Sequence, residues 1–358
     1  MQIDELLKSM VNKAASDLHL TVTSPPVLRI DGELIPQEDL PPMTANDIEL
    51  VLEQIATQEQ RTILDREWEL DCTYTLPGLA RFRVNALRQR GVISLAFRFV
   101  PFYIPSIDEW GLPQILKELI LKPKGLILVT GPSGSGKSTT LAAMLSHLND
   151  TATRSVITIE DPIEFVFRNK KCIIRQRDLR DDTKSFATAV IHSLRHDADV
   201  IVIGEMRDLD TVSAAITAAE TGHLVLGTLH TVDAPQSIDR IIDVFPFGQQ
   251  QQIRIQLSQV IEAVISQALL NRIDGGRIAA FEIMLASETI RRKIREAKVF
   301  EIPVTIEVST PEGMQTLDQA LADLVKRKIV KLEDALMKST NPVKLHQLIQ
   351  SEDEVAIR

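Results

Sequence analysis

The segment GPSGSGKS at residues 131–138 has the residue types and spacing of a phosphate-binding loop. Its glycines allow a tight turn in which successive backbone N–H groups point at one anion. Lys137 supplies a positive charge for the β- and γ-phosphates, and Ser138 supplies a hydroxyl for Mg²⁺. The pattern predicts that the chain binds ATP with Mg²⁺ through Gly131, Pro132, Ser133, Gly134, Ser135, Gly136, Lys137, Ser138 and Thr139.

Phosphoryl transfer also needs a carboxylate near the metal ion or the attacking water. Residues 199–205 read DVIVIGE, which predicts a buried strand followed by the acid Glu205. This is the Walker B arrangement, about seventy residues after the loop. We therefore predict that Ser138 and Glu205 hold Mg²⁺ around the nucleotide, directly or through water.

Two further polar groups follow or flank predicted strands. The acidic cluster at residues 159–164, IEDPIE, fits either a solvated loop or a nucleotide contact. His223 and His230 flank the run LVLGTL, and they fit either ordinary hydrogen-bonded histidines or contacts to a γ-phosphate and its neighbouring carboxylates. A metal site is disfavoured for the histidines, because no third ligand stands at a suitable spacing.

Buried strands must position these groups. Continuous apolar runs at residues 126–130, 155–159, 200–204 and 224–229 are typical of parallel strands that helices cover on both faces. Because the carboxyl ends of such strands converge on the ligand crevice, the chemistry should gather at one sheet edge. Together with the phosphate loop, the runs predict a RecA-like α/β core.

The chain as a whole predicts two domains. Residues 1–104 alternate short helical and strand patterns, which predicts a small α+β domain. Residues 105–114 lie in a segment rich in proline and glycine and are predicted as a linker and hinge, followed by the ATPase domain at 115–358. From about residue 249 the pattern is predicted to be mainly helical, with one apolar stripe formed by Ile253, Leu257, Val260, Ile261, Val264 and Ile265.

Composition restricts the partners and the compartment. The chain has 358 residues and a net charge of −9, which argues against a nucleic-acid partner held mainly by phosphate contacts. Its two cysteines, Cys72 and Cys172, disfavour a disulfide framework and a four-cysteine zinc site. No apolar run is long enough to span a membrane, and the first residues do not form a signal peptide. We expect a cytoplasmic protein without direct membrane insertion.

Four motifs in this order resemble the secretion and type IV pilus ATPases: GPSGSGKSTT, ITIEDPIEF, VIVIGEMRD and AAETGHLVLGTLHT. The resemblance covers nearly the whole chain and is strongest to the PilT-type retraction branch of that family. The segment ASDLHLTVTSPPVLRIDGEL is similar to the start of the family's PAS-like N-terminal domain, and PEGMQTLDQALADL is similar to its closing helices.

The resemblance implies roles for individual residues. Glu164 matches the position that activates water, and Glu205 matches the Walker B glutamate that supports Mg²⁺ and the attacking water. His223 and His230 match a histidine box that couples the state of the γ-phosphate to subunit contacts. Arg83 and Arg98 match arginines that reach the nucleotide, which moves them from ordinary surface charges to candidate γ-phosphate sensors.

The resemblance also implies an assembly and a task. Members form homo-hexameric rings that dock on an inner-membrane pilus platform protein, on the cytoplasmic side. ATP hydrolysis then powers pilin disassembly, pilus retraction and twitching motility.

One motif departs from the retraction branch. The family's AIRNLIREGK is TIRRKIREAK at residues 289–298, with Arg292 in place of Asn and Lys293 in place of an apolar residue. The departure fits either neutral drift or a changed docking face, as in an accessory retraction ATPase of the PilU type.

Three other classes compete with retraction. Extension and secretion ATPases usually carry a larger N-terminal region and a tetracysteine zinc module, and this sequence shows neither. A nucleic-acid translocase is disfavoured by the net charge and the histidine box. A nucleotide-binding regulator without hydrolysis is disfavoured by the intact Lys137, Ser138, Glu164 and Glu205.

Overall fold

The computed structural model describes residues 2–30, 32–100 and 104–350, and the chain divides into two compact units. The first unit comprises Met1–Tyr103 and Glu164–Val166, and the second comprises Ile104–Ile163 and Phe167–Arg358. Residues 105–114, the predicted linker, contain no helix or strand. Ile107 and Leu112 of this stretch are buried in the core of the second unit. The function of the stretch as a hinge stays a prediction.

The first unit is built on an antiparallel sheet whose six described strands lie in the order β3-β2-β1-β6-β5-β4. The strands are β1 (Asp17–Leu20), β2 (Val27–Ile30), β3 (Glu33–Pro36), β4 (Glu69–Leu76), β5 (Ala80–Gln89) and β6 (Val92–Val100). The helices are α1 (Ile3–Asn12), α2 (Ala45–Ile55) and α3 (Gln58–Glu67).

Alternation along β5 shows why this sheet has one buried face. Ala80, Phe82, Val84 and Ala86 are fully buried, and the residues between them are only partly covered. Successive side chains of a strand point to opposite faces, so this pattern buries one face and leaves the other polar. Leu7, Met10, Ile48 and Val51 of α1 and α2 belong to the same core as Phe82.

The second unit contains a mixed sheet whose seven described strands lie in the order β13-β12-β7-β11-β10-β8-β9, and only the pairing of β13 with β12 is antiparallel. The strands are β7 (Gly125–Thr130), β8 (Ser155–Glu160), β9 (Ile173–Asp178), β10 (Val200–Ile203), β11 (Leu224–Leu229), β12 (Ile261–Asn271) and β13 (Arg277–Leu285).

Helices and two short 3-10 turns, at Val299–Glu301 and Thr310–Glu312, complete this unit. The helices are α4 (Ile115–Ile120), α5 (Lys137–Thr151), α6 (Phe186–Ser193), α7 (Leu209–Glu220), α8 (Ala234–Asp243), α9 (Phe247–Val260), α10 (Glu288–Arg295), α11 (Ile302–Val308), α12 (Leu317–Lys326), α13 (Leu332–Lys338) and α14 (Pro342–Gln350). No helix in the described part of the chain is long and apolar enough to cross a membrane.

The central strands are covered on both faces, as their continuous apolar runs predict. Every residue of β7, β10 and β11 is buried. Along β7, Leu126 and Leu128 join one hydrophobic core, and Ile127 and Val129 join the other. Helices on both sides of the sheet therefore hold the central strands in place, and the predicted α/β class is confirmed.

The prediction of a mainly helical chain from residue 249 is wrong between 261 and 285. Helix α9 ends at Val260, and Ile261 begins β12, which pairs with β7 and continues into a hairpin with β13. The apolar stripe therefore divides, with Ile253 and Leu257 in the helix and the residues from Ile261 onward in a strand. A dense apolar run fits the period of a helix as well as that of a strand. Here the pairing with β7 stabilises the strand.

Candidate nucleotide-binding site

The carboxyl ends of parallel strands place the main candidate groups at one edge of the second unit's sheet. Thr130 at the end of β7 pairs with Leu229 at the end of β11. Ile203 at the end of β10 pairs with Gly227 of β11 and with Ile159 of β8. The phosphate loop follows β7 directly, and His230 and Glu205 follow β11 and β10, so these groups leave neighbouring strands at the same edge.

The phosphate loop has the backbone of an anion cradle. Gly131, Gly134 and Gly136 have φ values of +142°, +76° and +93°, a region that residues with a side chain rarely adopt. A Cβ on Gly134 would meet no described atom within 4 Å, so the loop is open at that point. Helix α5 begins immediately afterwards without a side-chain cap, which leaves its N-terminal dipole for an anion. The segment therefore fits a nucleotide phosphate.

Lys137 lies folded over this loop. Its ammonium group donates hydrogen bonds to the carbonyl oxygens of Gly131 at 2.8 Å and Pro132 at 3.1 Å. Ser138 follows it in the first turn of α5 and is half-buried. The charge and the hydroxyl that the motif predicts are thus placed by the same helix terminus.

Two residues of β12 support the loop, and the sequence analysis did not predict either of them. Ser266 accepts a hydrogen bond from the Thr130 hydroxyl at 2.9 Å, and the Gln267 amide donates to the Ser135 carbonyl oxygen at 2.6 Å. Both side chains are buried, at 1% and 3% exposure. The segment was predicted as helix, so nothing in its pattern placed these residues beside β7.

Glu205 and His230 are in direct contact. The Nε2 atom of His230 lies 2.9 Å from Oε1 of Glu205, and the Arg207 guanidinium also bonds to that oxygen. The hydrogen bond and the charge of Glu205 raise the pKa of Arg207. A cavity of about 370 Å³ opens here, lined by Glu205, Met206, Arg207, Leu229, His230, Thr231 and Arg240. The sequence predicted the acid and the histidine but not the two arginines.

Tight packing holds together the ends of β10 and β11, which Glu205 and His230 follow. The Thr228 hydroxyl donates to the Gly204 carbonyl oxygen, and the Met206 backbone N–H donates to the Thr228 carbonyl oxygen at 3.1 Å. A Cβ on Gly227 would lie 2.2 Å from the sulfur of Met206, so only glycine leaves room for that side chain. The turn after β10 is therefore locked to β11, which holds Glu205 close to His230.

His223 lies at the opposite end of β11 from His230, and the prediction that it also contacts nucleotide stays a prediction. The six residues of the strand lie between them, so the two histidines are seven steps and about 23 Å apart along the strand. His223 Nδ1 is 3.0 Å from the Ala218 carbonyl oxygen at the end of α7. Within one chain it does not reach the phosphate loop, because the two lie at opposite edges of the sheet. A function in contacts between subunits stays a prediction.

The acidic cluster that begins at the last residue of β8 divides into separate environments. Glu160 accepts hydrogen bonds from the Thr158 hydroxyl at 2.6 Å and the Gln176 amide at 3.2 Å. Asp161 lies 3.7 Å from the Arg180 guanidinium. Glu164 is exposed and belongs to the segment that groups with the first unit. The proposed activation of water by Glu164 stays a prediction.

Arg83 and Arg98 lie directly opposite each other on β5 and β6 of the first unit. Arg83 is 3.5 Å from Asp71, and Arg98 donates to Asp17 at 2.8 Å. Burial of Asp17 raises its pKa, but hydrogen bonds from Ser16 and Arg98 outweigh that effect, and the pKa is lowered. The structure thus brings the two arginines together on one sheet face, and their contact with nucleotide stays a prediction.

The departures in the motif at 289–298 fall on α10. Lys293 is only 15% exposed, and its ammonium group donates to the Glu301 carbonyl oxygen at 3.0 Å and lies 3.2 Å from the Glu301 carboxylate. Arg292 is exposed. Glu301 thus compensates the charge of Lys293, whereas Arg292 changes the accessible surface.

Glu282 of β13 anchors the segment that follows His230. Its carboxylate is 7% exposed and accepts a hydrogen bond from the Ala234 N–H, at the start of α8, at 2.7 Å. Burial raises the pKa of Glu282 to about 7; the Ala234 hydrogen bond opposes this shift, and the charges of Asp233 and Asp318 add to it. The folded protein therefore retains a proton here that the unfolded chain loses near pH 4.5.

We expect Glu282→Gln to change the pH dependence of stability. A raised pKa means that the folded state binds the extra proton between about 4.5 and 7, so the wild type loses stability as pH rises through that window. The loss should be about 3 kcal/mol and complete above about pH 7. Unfolding by urea at several pH values should show that the free energy of unfolding of the variant, relative to the wild type, increases by this amount as the pH rises. A difference that does not change with pH would contradict the assignment.

Comparisons with known proteins also indicate an ATPase. Residues 1–337 match the family described as Type II/IV secretion system protein. PilT of Pseudomonas aeruginosa, a type IV pilus retraction ATPase, is 45% identical over 342 residues, which cover 96% of this chain and 99% of PilT. PilU of the same organism, a type IV pilus ATPase, is 38% identical over 359 residues, with 99% and 93% covered.

A solved structure extends the similarity to the fold. The crystal structure of the pilus retraction motor PilT with bound ADP has a TM-score of 0.90 and 45% identity, and the match covers 97% of this chain and 99% of that one. The predicted fold class is confirmed, apart from the start of the helical region. The chain therefore belongs to the type II/IV secretion system protein family, and it is an ATPase of that family.

Proposed function

We propose that this chain is a motor that hydrolyses ATP with Mg²⁺ to power retraction of a type IV pilus. The observation that carries the proposal is the placement of the phosphate loop and the Glu205–His230 pair on the ends of adjacent strands. It occurs in a chain that is 45% identical to PilT over 96% of its length. The geometry supports phosphoryl transfer. The similarity to PilT supports the pilus as the filament on which the motor acts.

The residues of the second unit divide the chemistry among them. The loop N–H groups and Lys137 would hold the phosphates, and Ser138 would bind Mg²⁺, which withdraws charge from the phosphate oxygens. Glu205 would orient the attacking water and support the metal ion. His230 and Arg207 share one oxygen of Glu205, so they would set the direction of that carboxylate.

Residues outside this strand edge would complete the reaction. We assign Glu164 to activation of the attacking water, and Arg83 and Arg98 to sensing of the γ-phosphate. If the subunits of a homo-hexamer supply these arginines to the nucleotide sites, hydrolysis would be linked to movement around the ring. His223, which lies at the other end of β11, would then act in subunit contacts rather than on phosphate.

The assembly would work on the cytoplasmic face of the inner membrane, where the ring docks on the pilus platform protein without inserting into the bilayer. The net charge of −9 disfavours nucleic acid as the track. A second candidate is an accessory retraction motor of the PilU type. The exposed Arg292 and the 38% identity to PilU over 99% of the chain support this alternative.

Deleting the gene in its host tests the proposal. We expect cells that still assemble surface pili but do not retract them, so that twitching motility is lost and returns with a plasmid copy. Pili can be counted by electron microscopy, and retraction can be followed by fluorescence labelling. Cells without pili would instead indicate an extension motor, and full retraction with weakened pulling under load would indicate the accessory motor.

A further inference from the structure

Strand β12 extends beyond the end of its neighbour β7. The two strands run in parallel, and their last paired residues are Ser266 and Thr130. After Thr130 the chain turns into the phosphate loop, whereas β12 continues to Asn271. The first residue of this extension is Gln267, which therefore lies beside the loop on the β7 side, whereas on its other side it pairs with Phe281 of β13.

Gln267 contacts the loop at its beginning and at its end. Its side-chain amide donates to the Ser135 carbonyl oxygen at 2.6 Å. A Cβ on Gly131 would lie 2.4 Å from the Gln267 carbonyl oxygen, and a Cβ on Gly136 would lie 3.1 Å from its Nε2 atom. Gln267 and Ser135 are 3% and 2% exposed. One buried residue thus sets how closely three loop residues approach β12.

The hydrogen bond to Ser135 determines where the next N–H group points. A peptide unit is planar and trans, so its carbonyl and its N–H point in opposite directions. When Gln267 draws the Ser135 carbonyl oxygen toward β12, the N–H of Gly136 points away from β12. Phosphate binding in such loops depends on N–H groups that are already aimed at the anion.

We propose that Gln267 is a positioning residue, which sets the phosphate loop in its nucleotide-binding conformation through the Ser135 carbonyl oxygen. The proposal rests on the nucleotide-binding part of the proposed function and is independent of what the motor moves. Only the donor group of the side chain is used, because Gln267 Oε1 is buried without a partner among the described residues. The essential property is therefore a neutral donor of the right length.

Removing the amide donor of Gln267 should weaken nucleotide binding more than it destabilises the fold. In Gln267→Leu the buried Ser135 oxygen loses its partner, and the loop can rotate to find another one. We expect the Kd for ADP to rise about tenfold and the KM for ATP to rise with it, whereas kcat at saturation changes less than about threefold. Gln315→Leu is the matched control, because that glutamine also donates to a backbone oxygen, that of Phe281 at 2.9 Å. This control should keep the wild-type Kd.

A second variant distinguishes positioning from general support. Gln267→Glu places an acceptor opposite the Ser135 oxygen when ionised, but a donor when protonated, and burial should favour protonation. Its ADP affinity, measured by titration calorimetry on the full chain, should recover several-fold between about pH 8 and about pH 6, relative to the wild type.

Two results would overturn the proposal: a wild-type Kd in Gln267→Leu, or weakened binding in Gln267→Glu without recovery at low pH. If the leucine variant does not fold, the glutamate series alone decides. Pilus behaviour in cells does not enter these measurements, so the failure of this inference is distinguishable from that of the proposed function.

Discussion

Replacing Glu205 with glutamine should stop ATP hydrolysis and leave nucleotide binding intact. The loop N–H groups, Lys137 and Ser138 remain in place in this variant, so the phosphates keep their contacts. In the proposed mechanism the lost carboxylate would act on the attacking water, a contact that matters chiefly in the transition state. We expect kcat to fall at least about a hundredfold and the Kd for ADP to change less than about threefold.

A carboxylate at the other end of the same strand provides the control. Asp199 immediately precedes β10, and its side chain accepts a hydrogen bond from the Ser155 N–H at 2.8 Å. Asp199→Asn keeps an acceptor there and should hydrolyse ATP at nearly the wild-type rate. Steady-state phosphate release and ADP titration on both variants make the comparison. Near-normal turnover of Glu205→Gln would refute the assignment of this residue.

Replacing Lys137 with alanine should weaken nucleotide binding strongly and abolish hydrolysis. The ammonium group already lies over the loop, within 3.1 Å of two carbonyl oxygens, and would exchange these contacts for charge-assisted bonds to phosphate. We expect the Kd for ADP to rise about a hundredfold, so that ADP no longer raises the melting temperature.

Lys124 is a suitable comparison because it is exposed and lies just before the amino end of β7, whereas Lys137 follows the carboxyl end. Lys124→Ala should bind ADP normally. If Lys137→Ala still showed the full thermal shift with ADP, the loop would not be the phosphate site.

The sequence predicted the site best where the chemistry is local. The phosphate loop needs glycines and a lysine at a fixed spacing, and a buried strand must precede it, so both signals lie within about fifteen residues. The same holds for Glu205, which follows the fully buried strand β10. Burial on both faces gives such strands a continuous apolar pattern that survives in the sequence.

Long-range pairing explains what the sequence did not predict. Gln267 lies 132 positions from Ser135, and no local pattern joins them. The residues from Ile261 onward could continue a helix or start a strand, and only the neighbouring β7 decides. Arg207 was missed for a different reason, since an arginine two residues after an acid is usually a solvated surface charge.

The two histidines show the limit of a motif as a guide to distance. His223 and His230 are close in sequence and share one motif, but an extended strand separates them by about 23 Å. Only His230 reaches the carboxylate of Glu205. The sequence already predicted LVLGTL as a buried strand, and the length of that strand is enough to place the two histidines at its opposite ends.

Retraction of labelled pili in living cells shows whether ATP hydrolysis at Glu205 drives the motor. The host should carry Glu205→Gln or Asp199→Asn as its only copy, at the native level of expression. We predict that the Asp199→Asn cells retract their pili and that the Glu205→Gln cells assemble pili that stay extended. Retraction at the wild-type rate and frequency in the Glu205→Gln cells would show that hydrolysis at Glu205 does not drive retraction.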